Sequence, residues 1–418
     1  MDSLRRLEKE MKKCVRCGAC RAYCPAFLET GREPAVARGK IAVAQHLLHQ
    51  DLPWDGLTRE IMANCLLCGN CTMNCPNEVA TDEIVIGARE ALAEKRGLPF
   101  LARAVSTVLR FPRGMRLGAA IAYLLSPLVF RKIPATSGLR LRFPVPFLGN
   151  NRHIPPLASK PFLSSCPEVL PGKPGAPSVV FFVGCMNNFV YPQIGEALLA
   201  LLQGMGCTIF IPKGQQCCGL PALSGGDLET SRRLAEKNLA ALGSFSADFV
   251  VSACASCGGA LHKFYPAVLG KAFPELQGQA EHIAGKTLDA STLLTRLGWQ
   301  PRGSGSGEPL AVTYHDPCHL RARGVTKDPR DLLKHAPGVK LVEMEGADRC
   351  CGLGGTFNVH HYETSMGINR GKTAAILRTG AQAVVSGCPG CMMQLSDGLK
   401  QQGSAMRVMH TLEVLANE

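Results

Sequence analysis

SVVFFVGC (178–185), CTIFIPKGQQCCG (207–219) and ADFVVSACASC (247–257) are three β-rich phrases that each run into cysteine. They return in the same order as LAVTYHDPC (310–318), VKLVEMEGADRCCG (339–352) and AQAVVSGCPGC (381–391). In each set 31 residues separate the first cysteine from the adjacent pair, and 35 or 36 separate that pair from the C-x2-C that follows. Two five-cysteine sets of matching spacing are a tandem internal duplication. Helical stretches lie between the phrases: Ile194, Ala197, Leu198, Leu201, Leu202 and Met205 fall on one face at i, i+3, i+4, i+7, i+8 and i+11. Strand alternating with helix predicts an α/β unit with a mainly parallel sheet, and in such sheets sites form beyond the carboxyl ends of the strands. Cys185, Cys217, Cys218, Cys254 and Cys257 are therefore expected to converge as metal ligands, and so are Cys318, Cys350, Cys351, Cys388 and Cys391.

Upstream lie CVRCGACRAYCP (14–25) and CLLCGNCTMNCP (65–76). Each is the C-x2-C-x2-C-x3-C-P run of ferredoxin-type iron–sulfur ligation, in which the fourth cysteine serves the other cluster. One [4Fe-4S] cluster is thus assigned to Cys14, Cys17, Cys20 and Cys75, and a second to Cys65, Cys68, Cys71 and Cys24. Zinc takes four ligands, typically as two separated pairs, and has no need of a doubled run. Forty residues separate Cys24 from Cys65. Within them Ile41, Ala44, Leu47 and Leu48 are spaced like one helical face, which points to a helical ferredoxin-like module. That layout is similar to the module in succinate dehydrogenase iron–sulfur subunits.

Each repeat offers five thiolates where a cubane needs four protein ligands. One or two further clusters are expected there. The surplus implies an unusual cluster, with a bridging thiolate or a doubly ligated iron, or else a cysteine kept free for redox chemistry. A structural zinc with a spare cysteine is the competing reading, because ligand softness alone does not separate the two metals. The glycine after each adjacent pair is expected to let the backbone approach the cluster. Two cysteines remain, Cys207 as a small buried hydrophobe and Cys166 as a bystander in a Pro-rich connector. His315 and His319 flank Cys318, and His360 and His361 follow the second pair; these are candidates to hydrogen-bond a cluster sulfur, or merely polar turn residues.

The chain has 418 residues, 46% hydrophobic and 19% charged, which excludes wholesale disorder and predicts several domains. The boundaries expected are 1–98 for the ferredoxin-like module, 99–177 for a connector, 178–300 for the first cysteine-rich repeat and 308–418 for the second, with GSGSG (303–307) as a linker. The start, MDSLRRLEKEMKK, is charged and lacks an apolar h-region. A cytoplasmic chain with reduced thiols is expected, and thiols there read as metal ligands before disulfides. The net charge is +13, yet residues 95–167 hold 12 Lys+Arg and no Asp or Glu. Inside that segment Leu117–Phe130 is nearly all apolar, too short to span a bilayer and interrupted by Pro127. A basic-flanked apolar stretch suits a membrane interface at the inner face of the cytoplasmic membrane, or an acidic face of a partner subunit. Nucleic acid is not expected, because the arginines are scattered through apolar sequence with no recognisable nucleic-acid fold.

Two ferredoxin runs followed by two C…CCG…CxxC repeats resemble the iron–sulfur subunits of glycolate oxidase and lactate dehydrogenase. The phrases GCMNN (184–188), CCGLPA (217–222), HDPCHLRARG (315–324), CCGLGGTFN (350–358) and SGCPGC (386–391) carry the resemblance. It implies an α+β multidomain fold, a helical ferredoxin-like module followed by a duplicated α/β cysteine-rich (CCG) domain. It also implies an electron-transfer subunit of a 2-hydroxy-acid (glycolate or D-lactate) dehydrogenase complex. Its partner would be an FAD-containing dehydrogenase subunit, and its acceptor an electron-transfer flavoprotein, a quinone or a membrane cytochrome. Oxidising a hydroxy acid releases a hydride, which flavins or nicotinamides accept. This sequence carries no dinucleotide-binding fingerprint, so that step is expected on another polypeptide. The layout is also similar to the fused catalytic subunit of heterodisulfide reductase, where CCG motifs hold noncubane clusters that split a disulfide. Both repeats being complete keeps that alternative open.

Overall fold

The computed structural model describes residues 2–111, 152–301 and 308–416, with positions 114, 118, 121, 123, 130–133 and 138–141 between them. Most of the apolar run 117–130 and the linker 303–307 lie outside the described residues.

The N-terminal module is helical. Helices Asp2–Arg6, Glu8–Lys12, Ala37–Leu48, Gly56–Ala63 and Thr81–Arg96 surround a core of Leu4, Met11, Ile41, Ala44, Leu47, Met62, Ile84, Ala88 and Ala91. The helix in the long insert forms where the 3.6-residue spacing places it, and its apolar face supplies Ile41, Ala44 and Leu47 to that core. A capping box starts Gly56–Ala63: Thr58 N donates to Asp55 Oδ1 at 2.9 Å, and Asp55 N donates to Thr58 Oγ1 at 3.1 Å.

A short antiparallel pair, β1 (Phe130–Ile133) and β2 (Gly138–Leu141), precedes the cysteine-rich halves. The first half is a five-stranded sheet of β3 (Val169–Leu170), β4 (Ser178–Phe181), β5 (Thr208–Phe210), β6 (Phe249–Ser252) and β7 (Thr287–Asp289), ordered β3-β5-β4-β6-β7. Only β3 is antiparallel. The second half has β8 (Leu310–His315), β9 (Val339–Leu341), β10 (Ala383–Ser386) and β11 (Arg407–His410), all parallel and ordered β11-β10-β8-β9. The shared strands β5-β4-β6-β7 and β9-β8-β10-β11 therefore have one topology. In each, the chain leaves the first strand on one side and returns on the other, which opens a crevice between the first and third strands at their carboxyl ends.

Three features depart from the expected layout. The fourth strands, β7 and β11, are three or four residues long and lack the long β-branched run that marks the others. Strand β3 pairs with β5, so the first sheet begins at Val169, ahead of the expected boundary at 178. Helix Phe100–Arg110 packs on helices Leu220–Ser224 and Leu228–Gly243 through Ala102, Ser106 and Leu109. Arg110 then clamps it, with Nε 2.7 Å from Thr230 Oγ1 and Nη2 3.2 Å from Asp227. The start of the connector is thus part of the first half.

The modules share their core. Leu67, Val85 and Ile86 of the helical module pack with Leu223, Leu234 and Phe264 of the first half and Leu395 of the second. Ala26, Leu66 and Cys68 pack with Cys350 and Phe357. Lys263 reaches Asp82 at 2.5 Å, and Lys271 reaches Glu83 at 3.4 Å, so charge pairs line the same seam.

Candidate metal centres

Every cysteine group of both halves sits just past the carboxyl end of a strand. Cys185 follows β4, Cys217 and Cys218 follow β5, and Cys254 and Cys257 follow β6. Cys318, Cys350–Cys351 and Cys388/Cys391 follow β8, β9 and β10 in the same way. The two sheets turn these ends toward each other. All ten cysteines line one cavity of about 240 Å³, with Cys68 of the helical module on its wall.

The thiols form a continuous array. Cys217 lies 3.9 Å from Cys185. Hydrogen-bond contacts continue from Cys217 to Cys218, Cys257 and Cys254, cross to Cys388, and run on through Cys391, Cys351 and Cys350 to Cys318. Cys350 also meets Cys68. The second cysteine of each adjacent pair is central. Hydrogen bonds from Cys217 and Cys257 pull Cys218 well below the usual thiol range. Those from Cys350 and Cys391 do the same to Cys351. The donors at the edges move the other way, Cys257 and Cys391 being pushed up by donating to those same sulfurs.

The loops are held by side chains that the cysteine spacing does not announce. Gln215 accepts from Val183 N at 2.7 Å and donates to Phe181 O at 3.1 Å, tying the end of β4 to the Cys217 loop. Asn238 Nδ2 donates to Cys217 O, and Asn369 Nδ2 donates to Cys351 O, both at 2.9 Å. Tyr265 Oη donates to Cys218 O at 3.0 Å. Ser231 and Ser365 donate to the carbonyls of Gly219 and Gly352 at 3.1 and 2.7 Å. The sequence signal for these is a buried Ser and Asn on the helix after each CCG. Asp316 takes a bidentate pair from Arg330, both at 2.7 Å, beside Cys318.

The glycines after the pairs bring backbone up to the thiols, Gly352 N donating to Cys350 Sγ at 3.4 Å, and they also let the following helix come close. Gly219 and Gly352 have φ of +80° and +94°. A Cβ on Gly352 would lie 2.5 Å from Ser365 O. That close approach is to the following helix.

In the helical module, Cys14, Cys17, Cys20, Cys71 and Cys75 all line one small cavity, and Cys71 also faces Cys68, Cys65 and Cys24. Cys24 faces Cys65 and Cys68, and burial raises its thiol to about 12. Cys17 is exposed whereas Cys68 is buried. The two groups therefore run from the surface inward to Cys350. Three cations stand beside this path. Lys40 is 1% exposed; Arg89 donates to the carbonyls of Met62, Ala63, Cys65 and Ser224. Lys372 donates to Gly346 O and Ala347 O, and burial pulls its amine down to about 8.

The histidines divide. His315 is buried and pushed well below the imidazole range by desolvation; a ring nitrogen and the sulfurs of Cys351 and Cys391 lie within 4.8 Å of one another. His319 lines the thiol cavity and contacts Ser256 Oγ at 3.3 Å and Leu67 O at 3.2 Å, with Ser256 Oγ 3.7 Å from the Cys388 sulfur. His360 and His361 do not line the thiol cavity; His361 faces Glu60 at 3.4 Å and packs on the Phe357 ring at 4.9 Å. Cys207 is 1% exposed in the core behind the first sheet. Cys166 is half-buried, 3.5 Å from Lys213 Nζ.

Comparison with known proteins places a 4Fe-4S dicluster domain at residues 10–79 and a cysteine-rich domain twice, at 179–262 and 312–396. A probable glycolate oxidase iron–sulfur subunit of Bacillus subtilis is 30% identical over 98% of this chain and 94% of its own length. A fumarate reductase (CoM/CoB) subunit of Methanothermobacter marburgensis is 28% identical over 97% of this chain and 72% of its own. Lactate utilization protein A of an Exiguobacterium is 30% identical over 57% of this chain and 97% of its own.

Proposed function

The chain belongs to the glycolate oxidase iron–sulfur subunit family, and from that premise we propose how its residues serve an electron-transfer subunit of a 2-hydroxy-acid dehydrogenase complex. The observation that carries the reading is the unbroken path of cysteine groups from the surface at Cys17, through Cys68 against Cys350, to the ten-thiol cavity. The donor set fits iron–sulfur clusters: eight thiols in two groups of four, with buried cations beside the inner group and no carboxylate within ion-pair distance of Lys40 among the described residues. Clusters bound there supply one-electron storage.

Cys14, Cys17, Cys20 and Cys75 would hold the outer [4Fe-4S] cluster, and Cys24, Cys65, Cys68 and Cys71 the inner one. In each half the five thiols suit a noncubane cluster. Cys218, Cys351 and Cys388 each accept from two neighbouring thiols, and a bridging thiolate would come from among them. His315, whose ring lies close to the sulfurs of Cys351 and Cys391, would donate to a cluster sulfur there. Leu67, Leu220 and Leu353 give the cavity apolar walls beside the thiols. The electrons would come from an FAD-containing partner and pass to a quinone or another acceptor.

The chain would work in the cytoplasm against the inner membrane face. Among the described residues no helix is long and apolar enough to cross a membrane. Phe100, Val108 and Phe111 form one exposed ridge of helix Phe100–Arg110, at 87%, 54% and 64% exposure, beside the acid-free basic stretch. That pairing of an apolar ridge with cations suits an anionic lipid surface.

Anaerobic purification from the native host tests the assignment. Co-purification of a flavoprotein with hydroxy-acid:dye reductase activity, and iron and sulfide beyond the eight expected for two cubanes, is the outcome expected. Oxidation of the clusters by a disulfide, with no flavoprotein present, would instead favour a heterodisulfide-reductase-like subunit, the reading supported by the completeness of both repeats.

A further inference from the structure

Lys40 presents a physical problem that the ligand assignment by itself does not address. Its side chain is 1% exposed, and its ammonium donates to Pro34 O at 3.1 Å and to Ala35 O. A buried cation satisfied only by carbonyls bears an uncompensated desolvation cost unless an anion is near. Among the described residues no carboxylate lies within ion-pair distance of it. The groups it faces are Cys65, Cys24 and Cys71, with Arg89 as a second cation. Ala35 O links it to the site directly, because Cys24 Sγ also points at that oxygen from 3.5 Å. Arg89 repeats the pattern, its Nη2 2.7 Å from Cys65 O with only carbonyls as partners. The outer group is served differently. Arg38, beside Cys17 and Cys20, is partly exposed and is paired with Glu33.

We infer that Lys40 is a fixed counter-cation of the cluster held by Cys24, Cys65, Cys68 and Cys71, and that it sets this cluster's reduction potential above that of the outer one. The inference rests on the ligand assignment proposed above. Reduction adds negative charge to a site ringed by thiolates, and a buried positive charge favours the more negative state in a low-dielectric surrounding. The same charge in water, already paired with a carboxylate, does so far less. Lys40 is a positioning residue in this sense: it ligates nothing and acts through the field it places on the site.

The test is a redox titration of the purified, cluster-loaded full chain followed by electron paramagnetic resonance. Cys17→Ser and Cys68→Ser assign the outer and inner signals. Lys40→Met should move the inner reduction equilibrium at least about tenfold toward the oxidised form, about 59 mV for a one-electron couple, and leave the outer signal in place. Lys40→Arg should restore the inner potential. Lys40→Gln keeps a donor for the Pro34 and Ala35 carbonyls without the charge, so it should shift as Lys40→Met does. An inner potential unchanged in both neutral variants, or an equal shift of both signals, overturns the inference. If Lys40→Met loses iron, Lys40→Gln decides: full iron with an unshifted inner signal overturns it. If Cys17→Ser and Cys68→Ser alter the same signal, the ligand assignment fails, and the inference with it.

Discussion

Gly352→Ala is the substitution whose cost the structure specifies best. At φ +94° a Cβ is strained whatever its surroundings, at about 1–2 kcal/mol. Here the Cβ would also stand 2.5 Å from Ser365 O. That oxygen belongs to the backbone of helix Tyr362–Arg378 and cannot rotate away. Shifting a packed helix to relieve such a contact costs about 1–3 kcal/mol more. The sum is about 2–5 kcal/mol, set against less than about 1 kcal/mol gained from the stiffer unfolded chain. Gly219 is the internal control: its φ is +80°, but the nearest atom to an added Cβ is Ser231 Cα at 3.4 Å, an ordinary contact. Gly219→Ala should therefore cost only the backbone term of about 1–2 kcal/mol. Denaturant midpoints by circular dichroism on anaerobically reconstituted protein, with iron and sulfide counts, compare the pair. The expected order is wild type, then Gly219→Ala, then Gly352→Ala, with iron lost from the second half in the last. A Gly352→Ala protein as stable and as iron-rich as wild type, or a more damaged Gly219→Ala, would refute the helix-packing account of these glycines.

Other expectations follow from single contacts. Arg89→Met strands the carbonyls of Met62, Ala63, Cys65 and Ser224, so it should cost about 3–5 kcal/mol and raise hydrogen exchange in residues 62–65 and 220–225 before elsewhere. Burial raises Glu90 to about 7. The folded state then binds more protons than the unfolded one between roughly pH 4.5 and 7, so this group makes stability fall as pH rises through that window. Glu90→Gln should remove that slope and add up to about 3 kcal/mol of stability at pH 8, read as a higher thermal midpoint; no change at pH 8 would count against it. Replacing Phe100 and Phe111 with serine should abolish sedimentation with vesicles containing anionic lipid while leaving the iron content unchanged. Retained vesicle binding would show that this ridge is not the membrane contact.

Covalent spacing made much of this molecule legible. The doubled C-x2-C-x2-C-x3-C-P runs and the two five-cysteine sets depend only on which residues stand at which intervals. Ligand chemistry constrains those intervals directly. The same holds for the helix Ala37–Leu48 and for strands that end in cysteine, whose apolar periodicity reflects one-sided burial. The short strands β7 and β11 were not legible in this way. Three or four residues carry too little pattern, and they form because a parallel neighbour is already in place to receive their hydrogen bonds.

What tertiary structure alone decided is which groups meet. Spacing shows that each half gathers five thiols; only the facing of the two sheets brings Cys254 against Cys388, and only the docking of the helical module brings Cys68 against Cys350. The histidines show the same limit, since the sulfurs near His315 are those of Cys351 and Cys391 from other loops, His319 turns toward Ser256, and His360 and His361 do not line the cavity. The partners of Lys40, Arg89, Asn238 and Asn369 lie on other turns or other modules. Distance along the chain carries no information about them. The eighteen clustered cysteines were written in the order of residues, whereas the environment that tunes them exists only once the three modules have closed around one shared core.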